Sequence, residues 1–328
     1  MITLSSGTSS GECDHNKTVA IGLVNNMPDT ALTTTEQQFR RLLSAAAAAQ
    51  ERAVSLRVFY LADVPRGAEA REYIRGRYTD VGELWEGSLD GLIVTGAEPQ
   101  TAALSDEPYW PLLAKLVEWA DGHTISTVWS CLAAHAAVLH SDGIDRRRLD
   151  EKLFGLFECA RCADDPLLAG APSSWKVPHS RYHDLSEDGL AAKGYKIISR
   201  SDAVGADMFV KRKNSLFVFL QGHPEYDDGA LLREYRRDVR RFLSGQSDCC
   251  PKIPCGYFDG MTAAMRKVQG RGRDQYLFDD FALAHKPTVD TRCPLGGQLY
   301  SNWLSYVVEQ KGLDRGPNGP NRQSFPNR

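Results

Sequence analysis

Apolar residues recur along this chain in short blocks separated by helix-spaced segments. Val19–Val24 is an apolar run ending in Asn25-Asn26-Met27-Pro28, the pattern of a buried strand delivering its last residue into a loop. Thr33–Glu36 has the form of a capping box, and Phe39, Leu42 and Leu43 follow at helical spacing, which predicts a helix starting near Thr33. Val54–Leu61 predicts a second strand, and Leu89–Thr95 a third that closes on Gly96-Ala97-Glu98-Pro99. Leu112, Leu113, Leu116 and Trp119 share one face of a helix over Leu112–Ala120. Thr124–Ser130 predicts another strand, followed at once by Cys131 and the alanine-rich helix Leu132–Leu139. A late strand, Leu216–Leu220, delivers Gln221-Gly222-His223-Pro224-Glu225 ahead of a helix at Gly229–Leu243, and helical spacing returns over Leu299–Gln310.

Strands alternating with helices imply an α/β fold with a mostly parallel, open sheet and right-handed crossovers. Nearly continuous apolar strands imply helices on both faces of that sheet. Residues 1–17 are polar and rich in Ser and Gly, and read as a disordered tail. One domain is expected over 18–311, containing an irregular insertion at 244–292 where periodicity gives way to Pro, Gly and Cys. Residues 312–328, with GPNGPN, read as a second disordered tail.

The 328 residues, 42% hydrophobic, suffice for a substantial core. A net charge of −3 gives no general attraction to nucleic acid or anionic lipid. No apolar run is long enough to span a bilayer, and the N-terminus lacks the basic start and apolar stretch of a signal peptide. The cytoplasm is therefore the expected compartment. Of the 8 cysteines, Cys159 and Cys162 form a CxxC, while Cys249, Cys250 and Cys255 cluster far away in sequence. Neither set has the paired spacing of a four-ligand zinc site, so reduced, unligated thiols and no metal are expected.

Reacting groups in open parallel sheets gather beyond the carboxyl ends of the strands. Cys131 stands where a strand turns abruptly into a helix, a geometry that exposes a nucleophile on a sharp elbow. A helix N-terminus favours the thiolate and leaves backbone N–H groups free for an oxyanion. Leu132 is the natural first donor, with Gly96 or Ala97 on a neighbouring strand end as the second. A free cysteine is commonly a small buried hydrophobe. His223 with Glu225, two residues on and past a rigid proline, changes that balance: the carboxylate can fix the tautomer of a general base.

The elbow cysteine followed by HPE at a later strand end resembles the class I glutamine amidotransferase-like (flavodoxin-like) fold. Within it, NNMPDTALTTTEQQFRRLL (25–43), DGLIVTGAEP (90–99), EPYWPLL (107–113), EKLFGLFE (151–158), VPHSRYHDL (177–185), GHPEYDDGALLREYRRDV (222–239) and SNWLSYVVEQ (301–310) are similar to the homoserine O-succinyltransferase/O-acetyltransferase family. The resemblance implies an acyl-accepting Cys131, a general base in His223 and a third catalytic residue in Glu225. It further implies substrate contacts from Lys152 and Ser180, a grip on the homoserine carboxylate by Arg237, and Glu234 one helical turn earlier. A guanidinium suits a carboxylate and a carboxylate suits an ammonium, although Glu234 and Arg237 also fit an ordinary i,i+3 surface pair. The chain departs from the family at Asp29 and Thr30, where lysine often follows the NxMP motif. It departs again at His135, in place of a more usual glutamine, and in the loop after Gly96, where the residue that helps choose the acyl group aligns with Gln100 or Thr101.

The activity implied is transfer of a succinyl or acetyl group from acyl-CoA to L-homoserine in methionine biosynthesis. It would run by a ping-pong mechanism through a Cys131 thioester. Acyl-CoA is a cosubstrate, no permanently bound cofactor is implied, and homodimers are usual in the family. The residues also leave open a Cys-His-Glu hydrolase or glutamine amidotransferase, acylation of serine or a related hydroxy-amino acid, and a non-catalytic paralogue that binds acyl-CoA or an amino acid.

Overall fold

The structure, a computed structural model, describes residues 2–4, 18–257 and 292–314. The apolar blocks of the sequence become strands buried on both faces. In chain order the strands are β1 (Ile2–Leu4), β2 (Thr18–Val24), β3 (Ala53–Tyr60), β4 (Thr79–Asp80), β5 (Gly91–Val94) and β6 (Ser126–Ser130). They continue as β7 (Arg147–Arg161), β8 (Ser174–Asp184), β9 (Lys196–Ser201), β10 (Gly205–Arg212) and β11 (Leu216–Leu220). The helices are α1 (Asp29–Ala49), α2 (Ala68–Ile74), α3 (Trp110–His123), α4 (Leu132–Asp142), α5 (Glu187–Ala192), α6 (Ala230–Leu243) and α7 (Leu295–Asp314).

All strands join one 11-stranded sheet in the order β1-β3-β2-β5-β6-β11-β10-β9-β7-β8, with β4 paired to β3. The half from β1 to β11 is parallel throughout. From β11 outward, β10, β9, β7 and β8 pair antiparallel. The expected open, mostly parallel sheet with helices on both faces is therefore present, with an antiparallel wing added. Side chains on β11 show how the layers form. Leu216, Val218 and Leu220 enter the core shared with α1 and α7, whereas Phe217 and Phe219 enter the core shared with α3 and α4. Alternation in a strand sends neighbours to opposite faces, and burying each such side chain is worth about 1.5–3 kcal/mol.

Several expectations change. The first helix begins at Asp29, with Pro28 as its cap residue and no side-chain cap hydrogen bond, so Thr33 lies a turn inside it. Pro28 sets the entry with φ −59°, and the Asp29 carboxylate sits at the positive end of the helix. Glu36, expected to cap, instead accepts hydrogen bonds from Tyr73 (3.0 Å), Tyr78 (2.8 Å) and Arg40 (2.6 Å). Residues 2–4, expected within a disordered tail, add a parallel strand to β3, while 5–17 lie outside the described residues. The expected insertion at 244–292 is described only at 244–257 and 292. Within it, Cys255 forms a parallel bridge to Gly155 of β7. Gly155 has φ +141°, and a Cβ there would fall 2.3 Å from the Cys255 carbonyl oxygen, so only glycine admits this contact. The last helix runs past residue 312 to Asp314; 315–328 lie outside the described residues. Among the described residues, no helix is long and apolar enough to cross a membrane.

Candidate active site

The carboxyl ends of β2, β5, β6 and β11 meet at one edge of the sheet. Asn26 and Thr95 staple the first two together: Thr95 Oγ1 accepts from Asn26 N at 2.8 Å, and Asn26 Nδ2 donates to the Thr95 carbonyl at 3.2 Å. Cys131, next along, has φ +54° and ψ −115°, a left-handed conformation for a residue with a side chain. Such geometry costs on the order of 1–3 kcal/mol and persists only where the surroundings enforce it. Here the Cys131 amide donates to the Leu220 carbonyl at 2.7 Å, and its carbonyl accepts from Ala134 at 3.0 Å. The half-buried Cys131 is thus pinned between the end of β11 and the first turn of α4.

His223 and Glu225 follow β11 and are both buried. His223 Nδ1 pairs with Glu225 Oε1 at 2.8 Å, and the imidazole is also hydrogen-bonded to the Cys131 side chain. Burial alone pushes the imidazole towards neutrality. The Glu225 carboxylate and the Cys131 sulfur outweigh it and hold the His223 pKa well above its ordinary value. The arrangement therefore favours the imidazolium form of His223 beside the Glu225 carboxylate. Among the described residues Glu225 Oε2 is buried without a partner, so the carboxylate is anchored through the histidine. All three residues expected to act together are brought together.

Gly96 lies against the start of α4. A Cβ built on it would fall 2.8 Å from Leu132 Cβ and 3.0 Å from Leu132 N. Leu132 N–H, the first of its helix, has no acceptor within that helix. The small Gly96 leaves room in front of it, and the half-buried Ala97 packs beside it against the α4 side of the core. Gln100 and Thr101, the candidates in the following loop, hang on one buried carboxylate: Glu107 Oε1 accepts from both backbone amides at 2.7 Å.

Lys152 on β7, Ser180 on β8, and Glu234 and Arg237 on α6 also converge. Ser180 Oγ and the Tyr226 hydroxyl both donate to Glu234. Lys152 Nζ lies 3.9 Å from Glu234 and 2.6 Å from Asp238, and Arg237 lies 3.7 Å from Glu234 and 2.9 Å from Asp238. Although burial opposes ionisation of Asp238, the Lys152 and Arg237 charges hold its carboxyl below the usual range. The i,i+3 pair is therefore part of a half-buried cluster, beyond a simple surface contact. Sequence reasoning missed Asp238 and Tyr226. Asp238 sits in the quoted EYRRD at i+4 from Glu234, and Tyr226 directly follows HPE. Tyr226 joins the two groups, stacking on His223 with centroids 4.2 Å apart while its hydroxyl reaches Glu234.

A buried polar network backs this edge from β8 and β10. His135, one turn after Cys131, pairs through Nε2 with Gln221 Oε1 at 2.8 Å. Gln221 Nε2 donates to the Ala206 carbonyl at 2.6 Å and to Asp184 at 3.3 Å. Arg181 reaches Asp184 at 3.1 Å and donates through Nε to His179 Nδ1 at 3.4 Å. Burial lowers the His135 pKa to about 3, so this ring is neutral. Cys159, His179 and Asp207, all buried, place one donor atom each within 4.8 Å of one another, a set that by type could hold a metal ion. The protonation pattern opposes it. His179 Nδ1 accepts from Arg181, so Nε2 carries the proton, aimed at Asp207 Oδ1 3.2 Å away though out of line for a hydrogen bond. A cation would meet an N–H in place of a lone pair, with a guanidinium behind the ring. The described cysteines are free.

A family model for homoserine O-succinyltransferase matches residues 6–313. The chain is similar to a homoserine O-succinyltransferase of Rhodopseudomonas palustris, 51% identical over 302 residues and covering 90% of each chain. It is also similar to one of Methylorubrum extorquens, 45% identical over 308 residues, 89% of this chain and 88% of that one. Among solved structures it is similar to a glutamine amidotransferase from Thermotoga maritima, with TM-score 0.49 and 13% identity over 88% of this chain and 98% of that one.

Proposed function

The chain belongs to the homoserine O-succinyltransferase family, and from that premise we propose that it transfers a succinyl group from succinyl-CoA to the hydroxyl of L-homoserine, in methionine biosynthesis, through a thioester on Cys131. The observation that carries this reading is the hydrogen-bonded set Cys131–His223–Glu225 at a strained strand-to-helix elbow.

Cys131 sulfur attacks the thioester carbonyl, and the oxyanion forms in front of Leu132 N–H, in the space kept open by Gly96. Collapse breaks the bond to the CoA sulfur, which takes the proton from His223. Acylation occupies the Cys131 sulfur, so its share in holding the imidazole protonated is gone. His223 then has the neutral form needed to take the homoserine hydroxyl proton as that oxygen attacks the acyl-enzyme. Collapse of this second intermediate returns the Cys131 sulfur and releases O-succinylhomoserine. Glu225 fixes the ring throughout.

In this reading Arg237 holds the homoserine carboxylate and Glu234 its ammonium, with Lys152 and Ser180 setting the Glu234–Asp238 side of the cluster. The relatives are homoserine O-succinyltransferases, which favours succinyl over acetyl, and the free cysteines among the described residues fit a reducing cytoplasm. Mixing the protein with succinyl-CoA, without homoserine, should add one succinyl group to an intact Cys131, read by mass spectrometry of peptides. Cys131→Ala should lose both this adduct and turnover. Full turnover by Cys131→Ala, or specific acylation at another residue, would overturn the assignment.

A further inference from the structure

Helix α6 carries arginines at 233, 236, 237, 240 and 241. The spacing i, i+3, i+4, i+7, i+8 places them on one stripe, about 12 Å long at 1.5 Å per residue. Leu231, Leu232, Tyr235 and Val239 take the opposite, buried side. The stripe faces a cavity of about 800 Å³ between α6 and the start of α1, a volume in the range of cofactor-sized sites. The wall opposite is uncharged: Met27, Thr30, Ala31, Thr34, Thr35 and Gln38. The acids of α1 turn elsewhere, Asp29 to Arg66 and Gly67 N, and Glu36 to Arg40, Tyr73 and Tyr78.

Within the stripe, Arg237 is bound to Asp238, Arg233 pairs with Asp227 at 2.7 Å, and Arg241 pairs with Glu98. Exposed Arg240 meets no carboxylate among the described residues. Like charges at this helical spacing repel, and among the described residues the facing wall carries no carboxylate to offset them. Such a stripe is what a multiply charged anion requires. The inner end of the cavity carries Tyr226, Glu234 and Arg237, and Tyr226 stacks on His223. The outer end carries Arg240, Arg241 and Ser244. A ligand lying along the cavity would have one end beside Tyr226, which stacks on His223, and the other among arginines.

We propose that this cavity holds the nucleotide arm of the acyl donor, with the phosphates of coenzyme A gripped by Arg233, Arg240 and Arg241 while the thioester reaches Cys131. The assignment rests on the chain being an acyl-CoA-dependent transferase. Planar guanidinium groups match phosphate oxygens by paired hydrogen bonds, which lysine would not reproduce. Each pair with Asp227 or Glu98 would hold its arginine in place before the donor arrives.

Two measurements test it. The first compares succinyl-CoA with succinyl-pantetheine, a donor that keeps the thioester and lacks every phosphate. The wild type should prefer succinyl-CoA in kcat/KM, and Arg240→Gln combined with Arg233→Gln should reduce that preference by about tenfold or more, through KM for succinyl-CoA. The second is calorimetric binding of adenosine 3′,5′-bisphosphate, which needs no turnover; the double variant should weaken it by a similar factor, and more so at low salt. Equal wild-type efficiency with both donors, or an equal loss with both donors in the variant, overturns the assignment. Turnover without arginine-dependent binding of the bisphosphate overturns it too, leaving the transferase reading intact. Arginine-dependent binding with no succinyl transfer from either donor instead sinks the transferase reading while supporting a nucleotide-phosphate site.

Discussion

The two halves of the sheet do different work. In the parallel half, β2, β5, β6 and β11 are close to fully buried, and their carboxyl ends present backbone geometry: a strained cysteine, a glycine pressed on a helix start, a histidine held by its neighbour but one. In the antiparallel wing, β7 alternates long exposed stretches with a short buried centre. Its contribution is side-chain charge: Lys152, Ser180, and the Arg181–His179–Asp207 network. Gly222 marks the junction, since a Cβ there would lie 2.5 Å from Val177 and 2.6 Å from Asp207. Chemistry is proposed to sit on the parallel half and substrate selection on the wing that extends from it. Variants in the first should then lower kcat, and variants in the second should raise KM for homoserine.

The largest effect is expected from Glu225→Gln, which keeps shape and removes charge. It should lower kcat by about 10³–10⁴-fold, as for an orienting carboxylate in a nucleophile–histidine–acid set. The same change bears on stability. The raised His223 pKa contributes stability that is fully present below pH 6.5 and lost as pH rises through the folded value. With Glu225 neutral, that contribution should be smaller and its loss complete at lower pH in chemical denaturation. Next comes Gly96→Ala, whose methyl would crowd Leu132 N. A kcat loss of about 10²–10³-fold with KM nearly unchanged is expected for an oxyanion donor put out of reach; a rise in KM alone would break the division between halves.

The same contrast explains what the sequence made legible. Continuous apolar runs such as Leu216–Leu220 are read directly, because burial on both faces leaves one signal. Strand-Cys131-helix and strand-Gly222-His223 follow from those strand ends, so the elbow could be placed from residue order. The wing from 147 to 212 could not be placed. Its strands carry Arg147, Arg148, Asp150 and Glu151 on exposed positions and a register shift between Arg148 and Leu153, which erases a clean period of two. Lys152 and Ser180 were therefore found only through resemblance. Tyr226 and Asp238 were missed because their roles depend on contacts between elements. The helix start at Thr33 was misplaced because Thr33 and Glu36 matched a local motif while Glu36 was committed to Tyr73 and Tyr78 across the fold.

On the wing, Ser180→Ala removes the hydroxyl that donates to Glu234, and Lys152→Met removes a charge shared by Glu234 and Asp238. Both should raise KM for homoserine, by about tenfold, with kcat changed by less, since each acts on Glu234, the carboxylate proposed to hold the ammonium of the amino acid. A kcat loss with KM unchanged would move these residues into the chemistry and erase the contrast.

The smallest effect is expected at the seam itself. His135 on α4 is tied to Gln221 just past the end of β11, and burial lowers its pKa to about 3. The unfolded chain takes up a proton on this histidine near pH 6.5, whereas the folded protein refuses it until about pH 3. Folded stability from this ring is therefore present above pH 6.5 and lost progressively as pH falls towards 3. His135→Gln keeps a side chain able to donate to Gln221 Oε1 and carries no titrating group. Activity at neutral pH should change by less than about threefold, within what a conserved hydrogen bond allows. The slope of stability against pH between about 4 and 6 should become shallower by about 1.4 kcal/mol per pH unit, the value for one proton. An unchanged slope would mean that His135 takes its proton, on the unpartnered Nδ1, in the folded protein.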